Sequence, residues 1–430
     1  MWKYLTFAFI LTIAFFILLF NTGWASDDAY ITLRTVHNFV TGDGLVWNLG
    51  ERVQVYTHPL WMFFLSAIYF FTREDFFTLI FTSIAVSVAF AFYSFAFVVK
   101  DAVKAFILLS CFVFSKAFID YSTSGLENPL SHMLIAVFIL LFYDKDQTEK
   151  NFFKLCILSA LLLLIRLDFI FLIGPSLLYR LSTHRSFKTL RWAILFFLPL
   201  WLWEIFSIIY YGFPLPNTAY GKLCTGITFL SKVEHGLQYL LNSITTDHVT
   251  LPVIGVSVLI LLLKKRLPSA TIAIGSLLYL AYIVCIGGDF MSGRFITAPF
   301  VFAVLAALME IKFFPAKNWV VTTVITTVIF ASLAILGMTI KYPPLITGID
   351  YGKVRKGLID KYRIVDERGF YFPSSGLKTA LHSKKNFPIH VFAKKGRRWK
   401  KANKKIVRKF VSGHRRALYP GPVGGGRIGS

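Results

Sequence analysis

The sequence predicts an all-α polytopic membrane protein, and three observations carry that prediction. Of its 430 residues, 56% are hydrophobic and 17% aromatic, more apolar surface than a water-soluble core can absorb. Eleven apolar runs recur along the chain, several approaching the ~20 residues that cross a bilayer as a helix and the shorter ones borrowing flanking residues. Charge is segregated: Lys341–Ser430 carries 23 Lys and Arg against four acids, and so holds +19 of the net +24.

The first run, Tyr4–Phe20, resembles a signal peptide because Lys3 precedes it. However, "FNTGWASDD" offers only Ala25 as a weak cleavage residue and many spans follow, so it is read as a retained first span. The others are Phe76–Val99, Ala105–Ile119, Pro129–Tyr143, Leu155–Ile165, Phe169–Leu181, Trp192–Tyr210, Leu251–Leu263, Ala270–Ile286, Phe295–Ile311 and Trp319–Ile340. Pro59–Phe71 is shorter than a crossing needs, opens on His-Pro, and is read as a helix in the membrane interface. With it left out of the count, every loop assigned to the cytoplasm carries Lys or Arg, among them Lys100–Lys104, Tyr179–Arg191 and Lys264–Arg266. Counting it as a crossing puts those clusters outside.

The expected architecture is therefore about 11 transmembrane helices plus an interfacial helix in the first outer loop, with the N-terminus cytoplasmic and the C-terminus outside. It divides into a membrane module over 1–340, a small extracytoplasmic domain over 341–390 and a basic, flexible tail over 391–430. That tail either lies on anionic lipid or attracts an acidic acceptor; nucleic acid is not an expected partner on this side. No CxxC spacing joins the four cysteines, so neither a disulfide framework nor a zinc site is indicated.

This topology gathers the unusual polar residues on the non-cytoplasmic face, and ionisable groups at membrane depth are costly enough to mark a task. In "SDDAYITLR" (Ser26–Arg34), Asp27 and Asp28 either cap a helix starting at Ala29 or do chemistry. In the second case Asp27 is a general base that Asp28 orients, or the pair holds a divalent metal ion. Arg34, six residues on, need not share their helical face. In "ERVQVYTHPLW" (Glu51–Trp61), His58 either simply starts the surface helix or turns its ring to an anionic headgroup, while Trp61 suits the lipid–water boundary.

Glu127 in "STSGLENPL" caps the helix that Pro129 begins, or meets substrate. Arg166 and Asp168 in "LLIRLDFIFL" either neutralise each other or offer a guanidinium fork to a phosphate. "FPLPNTAYGKL" adds Asn217, Tyr220 and Lys222. "GGDFMSGRF" sets Asp289 and Arg294 among Gly287, Gly288 and Gly293, glycines that allow close backbone approach to a ligand. Lys116 and Glu204 are the clearest charges inside the runs, either an internal pair or two snorkelling residues. With no P-loop, HExxH, GxSxG or Rossmann glycine pattern in the sequence, ATP-driven and serine-hydrolase chemistry have no support.

In order, "DDAYITLR", "GDGLVWNLGERVQVYTHPLW", "SGLENPL", "RLD", "PLPNTAYGK", "GGDFMSGRF" and "VDERGFYFPSSGL" (Val365–Leu377) resemble the membrane glycosyltransferases of the GT-C superfamily. Within it the chain is most similar to the mycobacterial terminal arabinofuranosyltransferases and the related type IV pilin arabinosyltransferases. The likeness covers residues 1–380; Lys384–Ser430 has no counterpart in it. The resemblance implies an inverting transfer of D-arabinofuranose from a polyprenyl-phosphate donor. The acceptor it implies is extracytoplasmic, a pilin or an envelope polysaccharide, met at the periplasmic face of a bacterial inner membrane. It aligns Asp27 with the catalytic acidic residue and Asp28 with its support, and puts His58 where relatives carry a phosphate-contacting lysine or asparagine.

We assign Arg166, Lys222 and Arg294 with His58 to the donor phosphate, and Arg34, Glu127, Asp168, Asn217, Tyr220 and Asp289 to sugar or acceptor. No cofactor is assigned beyond the divalent ion that Asp27 and Asp28 could hold. The rival from another class is a lipid-linked sugar flippase, which should carry mid-bilayer charges in broken, repeated helices; here the run interiors are nearly free of charge.

Overall fold

The computed structural model describes residues 2–146, 148–184, 186–223, 226–312, 319–346, 358–383, 387–399 and 401–402. All regular elements among them are helical, and extended pairing occurs only as isolated bridges. A chain this apolar must satisfy its backbone internally, which helices do without partners. Contacts divide the chain into Met1–Leu381 and His382–Ser430. In the second unit 391–399 is helical; from 403 onward the expected flexible tail lies outside the described residues.

The first unit opens with α1 (Trp2–Thr22) and α2 (Asp27–Thr41). The second helix starts at Asp27 rather than Ala29, with Ser26 as N-cap, so both carboxylates sit inside its first turn. Then come α3 (Pro59–Thr72), with proline in its first turn, and α4 (Phe76–Tyr93), which widens into a π turn at Ser94–Val99. The expected run Ala105–Ile119 breaks at Ser115 into α5 (Ala102–Phe114) and α6 (Lys116–Tyr121), because the Ser115 hydroxyl caps α6 by accepting from Phe118 N at 3.1 Å.

Next are α7 (Asn128–Phe142), α8 (Glu149–Ile165) and α9 (Phe169–Thr183). The pair α10 (Phe187–Phe196) and α11 (Leu198–Tyr211) bends by 54° just before Pro199. After α12 (Asn217–Leu223), α13 (Phe229–Thr246) meets α14 (Thr250–Leu263) at 103°. The chain continues through α15 (Leu267–Ile286), α16 (Thr297–Glu310) and α17 (Trp319–Met338) to the short α18 (Glu367–Ser375) and α19 (Leu377–Leu381).

All eleven apolar runs fall on helices. By length and composition, four described helices can cross a membrane alone, or six spans if each bent pair is counted as one. The other runs form shorter helices. Helix α16 is buried along almost its whole length, while α11, α14 and α17 expose Leu202, Ile209, Leu263, Val324 and Ile335 as a lipid-facing surface would.

Helices α9 and α15 approach closely at Gly275, where a Cβ would lie 2.0 Å from the Leu172 carbonyl oxygen. Small residues permit such contacts between membrane helices. Gly275→Ala should therefore cost about 1–3 kcal/mol, read as a lower Tm of the purified protein; an unchanged Tm would contradict this packing.

Segment 358–381 docks where α1 ends. Leu377 N donates to Gly23 O at 2.8 Å, Ser375 Oγ to Ala25 O at 2.7 Å, and the Tyr371 ring stacks on Trp24 with 6.5 Å between centroids. Beneath them lies a buried ion network, in which Arg368 Nη1 donates to Asp120 at 2.9 Å and Lys116 bonds Asp120 and reaches Asp366 at 3.2 Å. Lys116 is thus neither paired with Glu204 nor snorkelling, because the break at Ser115 turns it toward α18.

Candidate functional site

Six helices begin beside one another here, and each supplies a charged or polar group near its N-terminus. Asp27 and Asp28 open α2, His58 is the N-cap of α3, Glu127 of α7, Asp168 of α9 and Asp366 of α18, while Arg294 lies three residues before α16. Unpaired N–H groups and the positive ends of helix dipoles favour anions at this position, which accounts for the recurrence of acids at these helix starts.

At the centre is Glu127, fully buried. Its two oxygens accept from Arg294 Nη2 at 3.1 Å each, Oε1 also accepts from Arg166 Nη1 at 3.1 Å, and His58 Nδ1 lies 3.5 Å from Oε2. Burial alone would raise this carboxyl, but Arg294 and Arg166 outweigh it and hold Glu127 well below the usual carboxylate range. Arg166 also forks onto Asp168, with Nε–Oδ1 at 3.0 Å and Nη2–Oδ2 at 2.5 Å, and its guanidinium lies 4.2 Å from the centre of the Phe295 ring. The pairing within "RLD" is therefore real, and it leaves the third edge of the fork to Glu127.

Burial lowers His58 to about 4, so at neutral pH the ring is uncharged, with Nε2 held by Thr32 Oγ1 at 2.8 Å. It lines the site as a neutral hydrogen-bonding group. Trp61, expected at the lipid boundary, is fully buried instead, with its indole N–H donating to Gly125 O at 3.0 Å. Arg294 extends the cluster toward the Asp27–Asp28 pair, lying 3.9 Å from Asp28 and 3.8 Å from Asp289. The three glycines of its loop all adopt left-handed φ, and at Gly293 (φ 81°) a Cβ would stand 2.7 Å from that of Ala117. The observed close approach is thus to the protein itself.

Asp27 is exposed. Its Oδ1 accepts from Asp28 N at 2.9 Å and its Oδ2 from the Tyr371 hydroxyl at 2.6 Å. Burial and then the adjacent Asp27 raise the Tyr371 phenol, which keeps its proton as a donor. One turn earlier stands Glu367, 5% exposed, with Oε2 lacking a hydrogen-bond partner among the described residues. Burial, then Asp27, Asp28 and Asp289, push its carboxyl up to about 9.

Between the ordinary 4.5 of Glu367 and about 9, the folded chain holds a proton that the unfolded chain has released. This contribution to stability is fully present below the lower value and is lost as pH rises through the upper one. Tm should fall from about pH 6 to about pH 9 and fall less in Glu367→Gln; parallel curves would show that Glu367 is ionised throughout.

The site thus brings together Asp27, Asp28, His58, Glu127, Arg166, Asp168, Asp289 and Arg294. Three others lie apart from these contacts: Arg34 is on Asn48 and Trp47, Asn217 Oδ1 accepts from Gln54 N at 3.1 Å, and Tyr220 packs on Phe213. The Lys222 side chain lies outside the described residues. Reading the residues one motif at a time missed Tyr371, Glu367 and Thr32. The available signal was "ERGFYF", where Glu367 and Tyr371 stand four apart and so share a helical face. No group of three or more His, Cys, Asp or Glu among the described residues is placed to hold a metal ion; Asp27 accepts from Tyr371, and Asp28 lies 3.9 Å from Arg294.

Beside the cluster an apolar cavity of about 420 Å³ is lined by Phe39, Pro59, Phe63, Leu164, Trp203 and Phe206 among others. Pro59 follows His58, and Leu164 precedes Arg166 by two residues, so the cavity flanks the charged centre.

Fold and site together define an all-α polytopic membrane protein with a buried, charged centre at converging helix ends. Among proteins of known role, the chain is 27% identical over 333 residues to the terminal β-(1→2)-arabinofuranosyltransferase of Corynebacterium glutamicum, covering 66% of this chain and 47% of that protein. It is 26% identical over 334 residues to the enzyme of the same name from Mycobacterium tuberculosis, covering 66% and 52%. The resemblance to this group stands on both, and the chain spans about half the length of the curated relatives it matches. No family model and no solved structure matches it.

Proposed function

We propose that the chain is a membrane glycosyltransferase that moves a sugar, arabinofuranose, with inversion from a polyprenyl-phosphate donor to an acceptor hydroxyl at the periplasmic face of the inner membrane. The acceptor is a pilin or an envelope glycan. The observation that carries the proposal is the exposed Asp27 carboxylate held by Tyr371 at 2.6 Å beside the Arg294–Glu127–Arg166 centre. The names of the relatives support the sugar, and residues 341–390 are read as lying on the same outer side.

In this mechanism Asp27 accepts the proton of the acceptor hydroxyl as its oxygen attacks the anomeric carbon. The bond from that carbon to the phosphate oxygen breaks, and lipid phosphate departs as an anion. A phosphate monoester with a second pKa near ~6 needs no general acid to leave at neutral pH. Arg294 and the converging helix N-termini stabilise the departing charge. Asp28 and Asp289 face the positive charge that develops at the sugar ring. The apolar cavity beside His58 suits the first isoprene units.

The test uses purified full chain in lipid with synthetic polyprenyl-phospho-arabinofuranose and candidate acceptors, following release of polyprenyl phosphate. Release that needs both Asp27 and an acceptor is the expected result. Donor that crosses the bilayer unchanged would favour a flippase, and donor left intact under every condition would remove the arabinose assignment.

A further inference from the structure

A second cavity, of about 380 Å³, opens behind the reactive cluster. Its size falls within the roughly 300–1,000 Å³ of small-ligand sites. It is walled by α13, by Lys116 of α6, by the loop leading to α16, and by residues that precede α18. Two extended segments separate it from the reactive centre. Val365 N donates to Phe290 O at 2.7 Å and Ser292 N to Val365 O at 2.9 Å, bridging Met291 to Val365. Alternate residues of extended backbone face opposite ways. Asp289 accordingly looks toward Arg294, while Ser292 lines the cavity.

The lining is polar and already oriented. Asn242 Nδ2 donates to Asp360 Oδ2 at 2.9 Å, and Asn242 Oδ1 accepts from Ser292 Oγ at 2.7 Å. Asp360 Oδ1 accepts from Tyr362 N and Ile364 N at 2.8 and 2.9 Å, so its loop is fixed before any ligand arrives. Gln238 adds a second amide, and Tyr342 and Tyr362 supply aromatic surface. Lysines and aspartates both reach the wall, so neither an anion nor a cation is favoured outright. Amides and hydroxyls that both donate and accept, beside tyrosine rings with apolar faces and polar tips, match a neutral polyhydroxylated ligand.

We infer that this cavity is a saccharide-binding subsite, holding a neutral sugar unit of the acceptor away from the hydroxyl that reacts. The inference rests on the transferase reading for its role and on the cavity alone for its ligand. It implies an acceptor that is itself a glycan, or a protein already carrying one.

The test measures binding of an uncharged arabinofuranosyl tetrasaccharide to the full chain in lipid nanodiscs, by saturation-transfer NMR and titration. Wild type is compared with Gln238→Ala and Tyr362→Ala, neither of which belongs to the reactive cluster. Both variants should bind at least tenfold more weakly, while release of lipid phosphate from donor onto a small alcohol acceptor, too short to reach the cavity, stays unchanged. Wild-type affinity in both variants, or binding of a neutral oligopeptide with none of the saccharide, overturns the subsite. Pocket-dependent saccharide binding by a protein that never releases lipid phosphate sustains the subsite and removes the transferase reading.

Discussion

Asp27→Asn should lower sugar transfer by about 10²–10⁴-fold, the range a positioned general base supplies. The substitution keeps the shape of the side chain and its place in the first turn of α2, so insertion and Tm should change little. What disappears is the carboxylate oxygen able to take a proton. Tyr371→Phe supplies the control: it leaves the carboxylate and removes the hydroxyl that donates to it at 2.6 Å. Its loss should be smaller, because the carboxylate that takes the proton remains. A full rate in Asp27→Asn would rule this carboxylate out as the base.

Glu127→Ala should produce the largest loss of stability, about 3–5 kcal/mol. Glu127 is fully buried and answers two guanidinium groups, one of which, Arg294, lies almost wholly inside the protein. Removing the carboxylate leaves Arg294 with Asp28 and Asp289 at 3.9 and 3.8 Å as its nearest acids, too far for direct hydrogen bonds. Adding Arg294→Met should restore part of the lost Tm without restoring activity, since an apolar pair in that space is tolerated where a lone charge is not. If the single variant melts like wild type, the cluster is more hydrated than its burial implies.

How far the sequence disclosed this arrangement depends on distance along the chain. The helical class was plain because apolar runs are local, and the acids at helix starts were visible because capping is local. Burial reversed the expectations for His58 and Trp61: a ring beside a proline and an indole in an apolar helix read as surface groups until a neighbouring loop covers them. Glu127 was expected to cap its helix or to meet sugar or acceptor, and the fold adds two arginines from helix boundaries 39 and 167 residues away. Such a pairing has no local signature. The two cavities are likewise products of packing, invisible in any one motif.

Asp27 and the hydroxyl that orients it stand 344 residues apart. A chain emerging from the ribosome at ~5–20 residues per second carries the carboxylate for on the order of 20–70 s before Tyr371 exists to hold it. During that interval the growing polypeptide is already in the bilayer, surrounded by whatever lipids the membrane contains. A truncated or stalled product therefore has Asp27 but lacks the hydroxyl that donates to it. Fragments ending before residue 371 should accumulate in the membrane with the Asp27 carboxylate present and no Tyr371 hydroxyl to hold it.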